Sequence, residues 1–598
     1  MNNKVEFFEE RVGYFTRQVV MLKSKYNKLS IFRIAIFLFF FMAAILCLKY
    51  NLPDIILFLV LLFIPGFGFL VKVHGRVKKQ KQLKQRLLEI NREEKTRLCH
   101  DFEGINDGIE SLNEDHPYAA DLDIFGRNSL FQLINRAGTS GGLSMVKLWL
   151  LNAASKNTLE QRQDAVKELI PLIDWRQKMQ AYGSKNVKKK LNEQSFYDWL
   201  QGEDIIRKNW FYRILPYPII LINSFLFYGY FADMFSIFAI VLPFIIGGPF
   251  IYKILDYSRD TYEMTQSGLH ILESIEAAVQ LIEGTEFQNE LLVKLQANLK
   301  VNNDLASEKT GGLRRIFEWL SQRQNGMYHI INSVYLLDYL ILLKAENWRA
   351  KHKNKISDWF EVVANFEALS SLAAFSFANE DYFFPKISEE KFLFNATAMG
   401  HPLIFRDHRV NNDFKLDSRG KSCIITGSNM SGKSTFLRTV GVNAVLAFAG
   451  APVCADYFEI SKFQIFTNMR TKDNLEENVS SFYADLLRLK MLLEQISEEK
   501  PVLYLLDEIL KGTNSADRHI GAESLILQLS KLNTFGLVST HDLELGNLQE
   551  KNKQIENFNF SSTIDGEEIV FDYKLREGIC KSTNASQLMA KIGIHIKS

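Results

Sequence analysis

Two long apolar bands interrupt a chain whose remaining hydrophobic residues are spaced for amphipathic elements. The first covers residues 31–73, with its charges (Arg33, Lys49, Asp54, Lys72) at the ends or at a middle break. It divides into two runs of roughly 18–20 residues, joined at Asn51-Leu52-Pro53-Asp54. The second covers 210–255, where Asp233 is the only charge between Arg213 and Lys253 and marks a turn. Both bands predict transmembrane helical hairpins; the alternative is two pairs of buried core helices. Arg17, Lys23, Lys25 and Lys28 precede the first band, and Lys72, Arg76, Lys78, Lys79, Lys81, Lys84 and Arg86 follow it. Arg207, Lys208 and Arg213 precede the second and Lys253 follows it. This asymmetry predicts short outer turns and soluble domains facing the cytoplasm. The first band starts about thirty residues in, with no small-residue cleavage site after it, unlike a cleaved signal peptide. The basic segment 72–86 is expected to lie against anionic headgroups.

Outside the bands, 87–207 and 256–380 read as mostly helical, as in the spacing of Leu269, Leu272, Ile275, Val279 and Ile282 and in the run 335–375. A polar break is expected at 304–312. From about 384 the pattern changes to β-prone segments between Asp, Asn and Gly turns, then to alternating strand and helix. The expected organisation is an N-terminal segment with the first hairpin and a basic juxtamembrane helix (1–95), a helical domain in two parts (96–207 and 256–380) split by the second hairpin (208–255), and an α/β domain (381–598).

Composition narrows the function classes. The 598 residues carry a formal charge of +2, so any nucleic-acid surface must be local. Five scattered cysteines without a CxxC pair argue against a zinc site or a disulfide framework and fit a reducing compartment.

The chemistry concentrates in the last third. Gly427-Ser428-Asn429-Met430-Ser431-Gly432-Lys433-Ser434 fits G-x-x-x-x-G-K-[ST], between the β-prone Cys423-Ile424-Ile425-Thr426 and a helix-compatible run over 433–448. A glycine turn between strand and helix aims backbone N–H groups and a helix dipole at one point, which suits a polyphosphate. Gly427 and Gly432 permit the turn, Lys433 neutralises β/γ-phosphate charge, Ser434 ligates Mg²⁺, and Thr435 is placed to assist. About 70 residues on, 502–506 form an apolar strand ending in Asp507 and Glu508. Asp507 is assigned to the metal and Glu508 to the attacking water; the plainer reading is a solvated strand end. His541, ending the run 535–540, is a candidate γ-phosphate sensor, although a lone histidine is more often structural.

These residues resemble the MutS mismatch-repair ATPases. The phosphate loop is similar to that family's form, including the Asn429-Met430 pair. Leu122-Asp123-Ile124-Phe125-Gly126-Arg127-Asn128-Ser129-Leu130-Phe131 looks like the start of the family's helical core, as do Lys147-Leu148-Trp149-Leu150-Leu151-Asn152-Ala153 and Gln161-Arg162-Gln163-Asp164-Ala165-Val166. His401-Pro402-Leu403 resembles the strand leading into the ATPase domain. Asp507-Glu508 with Gly512-Thr513-Asn514, and Ser539-Thr540-His541, resemble its later motifs. The resemblance covers roughly 95–207 and 256–590. It implies an α/β P-loop NTPase domain of the ABC ATPase type after an all-α core and lever domain, with ATP and Mg²⁺ as cofactors and a homodimer with composite sites. Ser480, in the segment 474–482, is then the γ-phosphate contact supplied in trans; taken alone, Ser480 and Ser481 are ordinary helix-cap serines.

Departures from the family matter as much. About thirty residues and a membrane hairpin stand where a mismatch-reading domain is expected, and no β-rich clamp is evident between Tyr262 and Phe375. The chain runs only to Ser598, so the C-terminal dimerisation tail is expected to be short or missing. Arg409-Val410-Asn411-Asn412 stands where an aromatic often stacks on adenine. The resulting expectation is a multi-pass protein, of a bacterial inner membrane, that contacts lipid through both hairpins and couples ATP hydrolysis to DNA binding in mismatch-repair-related processing. Lys185, Lys188, Lys189 and Lys190 are the candidate phosphate-backbone cluster, or else a solvated loop. The alternative is an ATP-driven membrane switch acting on a protein or lipid without DNA. A transporter is disfavoured, because four short-looped spans scattered through a helical lever make a poor translocation path.

Overall fold

The computed structural model describes residues 2–50, 52–189, 193–301, 304–428, 430–470, 481–565 and 568–580. Its first elements, α1 (Asn2–Lys49) and α2 (Pro53–Leu98), run antiparallel, reversing over a few residues at the expected polar break. Pro53 starts α2, with its fixed φ suited to a first turn, and Asp54 complements the helix dipole there. The halves near the chain start and the end of α2 pack together through Phe15, Leu87, Leu88 and Ile90, and against Ala181. Arg11 ties this pair to the next domain by bonding Asn91 and Gln177.

The helical domain comprises α3 (Leu130–Ile134), α4 (Ser140–Leu151), α5 (Lys156–Leu169), α6 (Ile173–Lys189) and α7 (Glu193–Gln201). It continues through α8 (Trp210–Ile214), α9 (Pro216–Phe231), the long α10 (Phe238–Glu283) and α11 (Glu290–Ala297). After a two-residue ladder of β1 (Lys300–Val301) and β2 (Asp304–Leu305) come α12 (Ala306–Ser321), α13 (Gly326–Tyr335) and α14 (Leu337–Ala378). α10 and α14 are its two long rods: α10 packs on α6, α7 and α12, and α14 on α4 and α5.

Three expectations need correction. Residues 99–129 are turns and loop with one 3₁₀ turn, because Asp121 and its neighbours bond the C-terminal α/β domain instead of winding into a helix. The break expected at 304–312 ends at Leu305; Ser307 to Gly312 already form the first turns of α12. The helical run from 335 is sharply bent, by 87°, at Leu336.

Among the described residues, four helices are long and apolar enough to cross a membrane: α1, α2, α9 with its preceding turn, and the first part of α10. Only 6% of the most apolar window of α1 and of α2 is buried within the protein, so those windows are no part of its core. The shares for α9 and α10 are 28% and 22%. Pro65, Pro243 and Pro249 lie inside these helices.

The C-terminal domain begins with β3 (Lys386–Ile387), β4 (Phe394–Met399) and β5 (Asn412–Leu416). His401-Pro402-Leu403 forms a turn after β4, not a strand: His401 Nδ1 accepts from the Leu403 amide and closes it. Then follow β6 (Ser422–Gly427), α15 (Lys433–Ala449), β7 (Tyr457–Ile460), β8 (Gln464–Asn468), α16 (Ser481–Gln495), β9 (Val502–Asp507) and α17 (Ser515–Leu529). The domain ends with β10 (Thr534–Thr540), α18 (Leu548–Lys551), β11 (Ile555–Asp565) and β12 (Glu568–Glu577). The main sheet has the order β12-β11-β6-β10-β9-β8, parallel except for the edge strand β12. A smaller sheet, β3-β7-β4-β5, lies beside it. β6 and the apolar run of β9 are buried on both faces, as central strands of a helix-covered parallel sheet must be.

Candidate nucleotide site

The chain leaves β6 at Gly427 and enters α15 at Lys433, at the C-terminal edge of the sheet, between β10 and β11. This is where an open parallel sheet changes winding direction and leaves a crevice for a ligand. Gly432 has φ 103°, and a Cβ there would lie 3.0 Å from the Tyr573 ring, so conformation and space both demand glycine. Lys433 is 4% exposed, and its ammonium donates to the carbonyls of Gly427 (2.8 Å) and Ser428 (2.9 Å). Burial lowers its pKa, against the pull of the Glu508 and Asp507 carboxylates. The Ser431 hydroxyl is buried inside the loop with no hydrogen-bond partner among the described residues. A buried cation held by loop carbonyls and an orphaned hydroxyl fit a loop made to receive an anion. Ser434 and Thr435, in the first turn of α15, line the same cavity, and Met430 is exposed at its lip. Asn429 lies outside the described residues.

β9 carries Asp507 to the same edge, where the Ser539 hydroxyl of β10 donates to its carboxylate. Ser434 and Asp507 are the residues that would hold Mg²⁺. Glu508, with φ 48°, turns away from the strand line and is held by His541 and Lys511. His541 Nε2 contacts its Oε1, and the Lys511 ammonium lies 3.0 Å from Oε2. The His541 bond, then Lys511, hold the Glu508 pKa at about 2, so it is an ionised acceptor across the working range. His541 Nδ1 lies 3.0 Å from the Gly427 carbonyl, linking the phosphate loop to Glu508 through one imidazole. The structure thus brings Gly427, Lys433, Glu508 and His541 into one contact set.

The cavity beside the loop has a volume of about 620 Å³. Its walls come from the 399–412 segment, from α15 and from Tyr573 on β12. Asn412 Nδ2 donates to the Tyr573 carbonyl and its Oδ1 accepts from the Leu575 amide, closing the mouth. Tyr573 places an exposed aromatic ring on the wall of this cavity. Sequence reading missed Tyr573, which lies on an edge strand about 140 residues after the loop. It also passed over Ser539, which sits within a quoted motif, and Lys511, which directly precedes one.

Ser480 and the rest of 471–480 lie outside the described residues, as do Lys190 and the side chains of Lys185, Lys188 and Lys189. The helix after that segment is anchored in this chain: Asp485 accepts from Asn468 Nδ2 and from the Leu510 amide, two residues past Glu508.

Residues 423–595 match the family described as MutS domain V. The chain is similar to proteins named DNA mismatch repair protein MutS. That of Thermotoga maritima is 30% identical over 247 residues, 41% of this chain and 30% of the relative. That of Clostridioides difficile is 30% identical over 270 residues, 44% and 28% of the two chains. That of Macrococcus caseolyticus is 30% identical over 273 residues, 44% and 32%. The chain therefore spans about 30% of the length of these relatives. At the level of family, its C-terminal part aligns with the ATPase domain of MutS proteins.

Proposed function

We propose that this MutS-like domain is the motor of a membrane-anchored ATPase that hydrolyses Mg²⁺-ATP and couples the cycle to DNA. The observation that carries the ATPase reading is the contact set of phosphate loop, Glu508 and His541 at the sheet's switch point. Lys433 and the loop amides hold the phosphates, while the cavity wall with Tyr573 receives a planar base. Mg²⁺, held by Ser434 and Asp507, would neutralise charge developing on the phosphates. Glu508, ionised and oriented by Lys511, aligns the attacking water; His541, bridging Glu508 and the phosphate loop, is placed to sense the γ-phosphate. Ser480 of a second copy completes the site in a homodimer.

Membrane anchoring is supported by the exposed apolar lengths of α1, α2, α9 and α10, and by the basic residues at their inner ends. Prolines inside these helices are better tolerated in a bilayer than in water. The soluble domains then face the cytoplasm.

A second reading, a switch acting on a membrane protein or lipid without DNA, is favoured by the lever. Among the described residues, the stretch between α10 and α14 holds three helices and a pair of two-residue strands. That gives little surface to close around a duplex.

The two readings separate in one assay. ATP turnover of the detergent-solubilised protein is measured without DNA and with matched, mismatched and branched duplexes at two salt concentrations, with Lys433→Ala as blank. Salt-sensitive modulation by DNA supports the first reading. Steady turnover indifferent to every duplex moves the assignment to the second.

A further inference from the structure

The bend between α13 and α14 lies against the apolar part of the second hairpin. On α9, Asn223 donates through Nδ2 to the Val334 carbonyl. On α10, Gly247 approaches α13 so closely that a Cβ there would lie 1.9 Å from the Ser333 carbonyl oxygen. At 1.5 Å rise per residue, Gly247 lies roughly 14 Å from the start of α10, and Asn223 roughly 12 Å from the end of α9. Both contacts are therefore near mid-height of the hairpin. Arg323, just before α13, instead contacts Ser258, roughly 30 Å from the start of α10. α13 thus starts at the hairpin's base, climbs to half its height, and the chain turns back at Leu336 (φ 50°). Tyr339, on the returning helix, donates to the Phe250 carbonyl, again toward the base.

The bend is sealed by polar groups from within the chain. The fully buried Asp338 carboxylate accepts from the Tyr328 hydroxyl (2.6 Å) and from Asn332 Nδ2 (3.1 Å). Its backbone amide donates to Asn332 Oδ1 (2.9 Å), and the Arg323 guanidinium stands 3.7 Å away. The Asn223 amide oxygen is the unpartnered exception. A broken helix persists at membrane depth only when the freed groups are satisfied by protein, as here. The outer face of α13 carries Met327, Ile330 and Ile331, exposed at 59, 49 and 42%. His329 is also exposed, on a different side of α13 and toward the base.

We propose that α13 and the bend at Leu336 form a re-entrant element. It enters the leaflet nearer the soluble domains, without crossing it, and contacts acyl chains through Met327, Ile330 and Ile331. This rests on the reading of α9 and α10 as spans. The continuous apolar exterior favours lipid over a protein partner: Leu221, Ile222 and Phe225 on α9 and Val241 and Ile245 on α10 are exposed on the hairpin that α13 packs against. α10 and α14 both continue from this unit into the helical domain, and α14 ends beside the ATPase domain with Phe375 against Tyr382.

The test is spin-label depth measurement on the full chain in phospholipid nanodiscs, after Cys47→Ser and Cys99→Ser. Labels are placed through Ile330→Cys and Ile331→Cys, with Leu221→Cys as the hairpin reference and Glu160→Cys as the aqueous one. Unchanged thermal unfolding qualifies each variant. Labels at 330 and 331 are expected to collide with oxygen in preference to a water-soluble nickel chelate, at a depth no greater than that at 221. If 221 reports lipid while 330 and 331 resemble 160, α13 lies in water and the proposal is overturned. Labels at 330 and 331 reached by neither collider would mean cover by protein, which also overturns it. A water-exposed 221 would instead remove the span reading itself.

Discussion

At the residue scale, the site separates phosphate binding from water activation. Lys433→Ala removes the cation at the loop centre, so nucleotide affinity is expected to fall beyond detection in a fluorescent-ATP titration; retained affinity would discredit the loop assignment. Glu508→Gln keeps the loop and is expected to bind ATP while phosphate release slows by about 10²-fold or more. Normal turnover by this variant would place the water-orienting group elsewhere. His401, at the cavity wall, has its pKa lowered to about 4 by burial, with Arg438 and Arg409 adding to the effect. The unfolded chain therefore takes up this proton first, as pH falls below about 6.5, and the folded state follows only near 4. Over that window the ATPase domain should lose about 3 kcal/mol of stability at this position. The acid-side slope of unfolding free energy against pH should flatten in His401→Asn; an unchanged slope would show that other groups dominate. Of these residues, Lys433, Glu508 and His541 were legible because motif spacing carries them. Tyr573 was not, since its place arises from a contact between residues far apart in the chain.

At the element scale, helix caps and strand ends supplied by distant segments hold the layers together. Glu367, 2% exposed on α14, accepts from the Gly138 and Thr139 amides and the Thr139 hydroxyl, at the start of α4. Glu367→Ala leaves these buried donors without that carboxylate and is expected to cost about 3 kcal/mol. It should lower the thermal midpoint while ATP still binds; an unshifted midpoint would mean that water replaces the carboxylate. Asp121 does the same between domains, accepting from Thr467 and from the Met469 and Arg470 amides. Periodicity located α15, β6, β9 and β10 to within a residue or two, because each is a long run of one pattern. It failed at 99–129, where polar side chains bond another domain rather than follow a helical period.

At the scale of the whole molecule, the long rods α2, α10 and α14 join the apolar bands to the nucleotide-binding domain. α2 leaves the first band and ends where Glu94 pairs with Arg97 and Arg136, and where His100 reaches the Leu403 carbonyl. α10 leaves the second band and passes through the helical domain, where it packs on α6, α7, α12 and α14. If the bands span, the protein should stay with membranes through an alkaline carbonate wash and leave only with detergent. Release by carbonate alone would limit it to a peripheral attachment.

The sequence by itself determined what depends on near neighbours: two apolar bands with polar breaks, the glycine turn between strand and helix, the acidic strand end, and the change from helical to alternating pattern. Tertiary structure alone decided what joins residues far apart in the chain. It placed Tyr573 beside the phosphate loop, brought His541 onto Glu508, and bent the chain at Leu336 against Asn223 and Gly247. Periodicity reports which face of an element is buried, whereas these contacts depend on which elements meet and at what height. That is set by the packing of the whole chain.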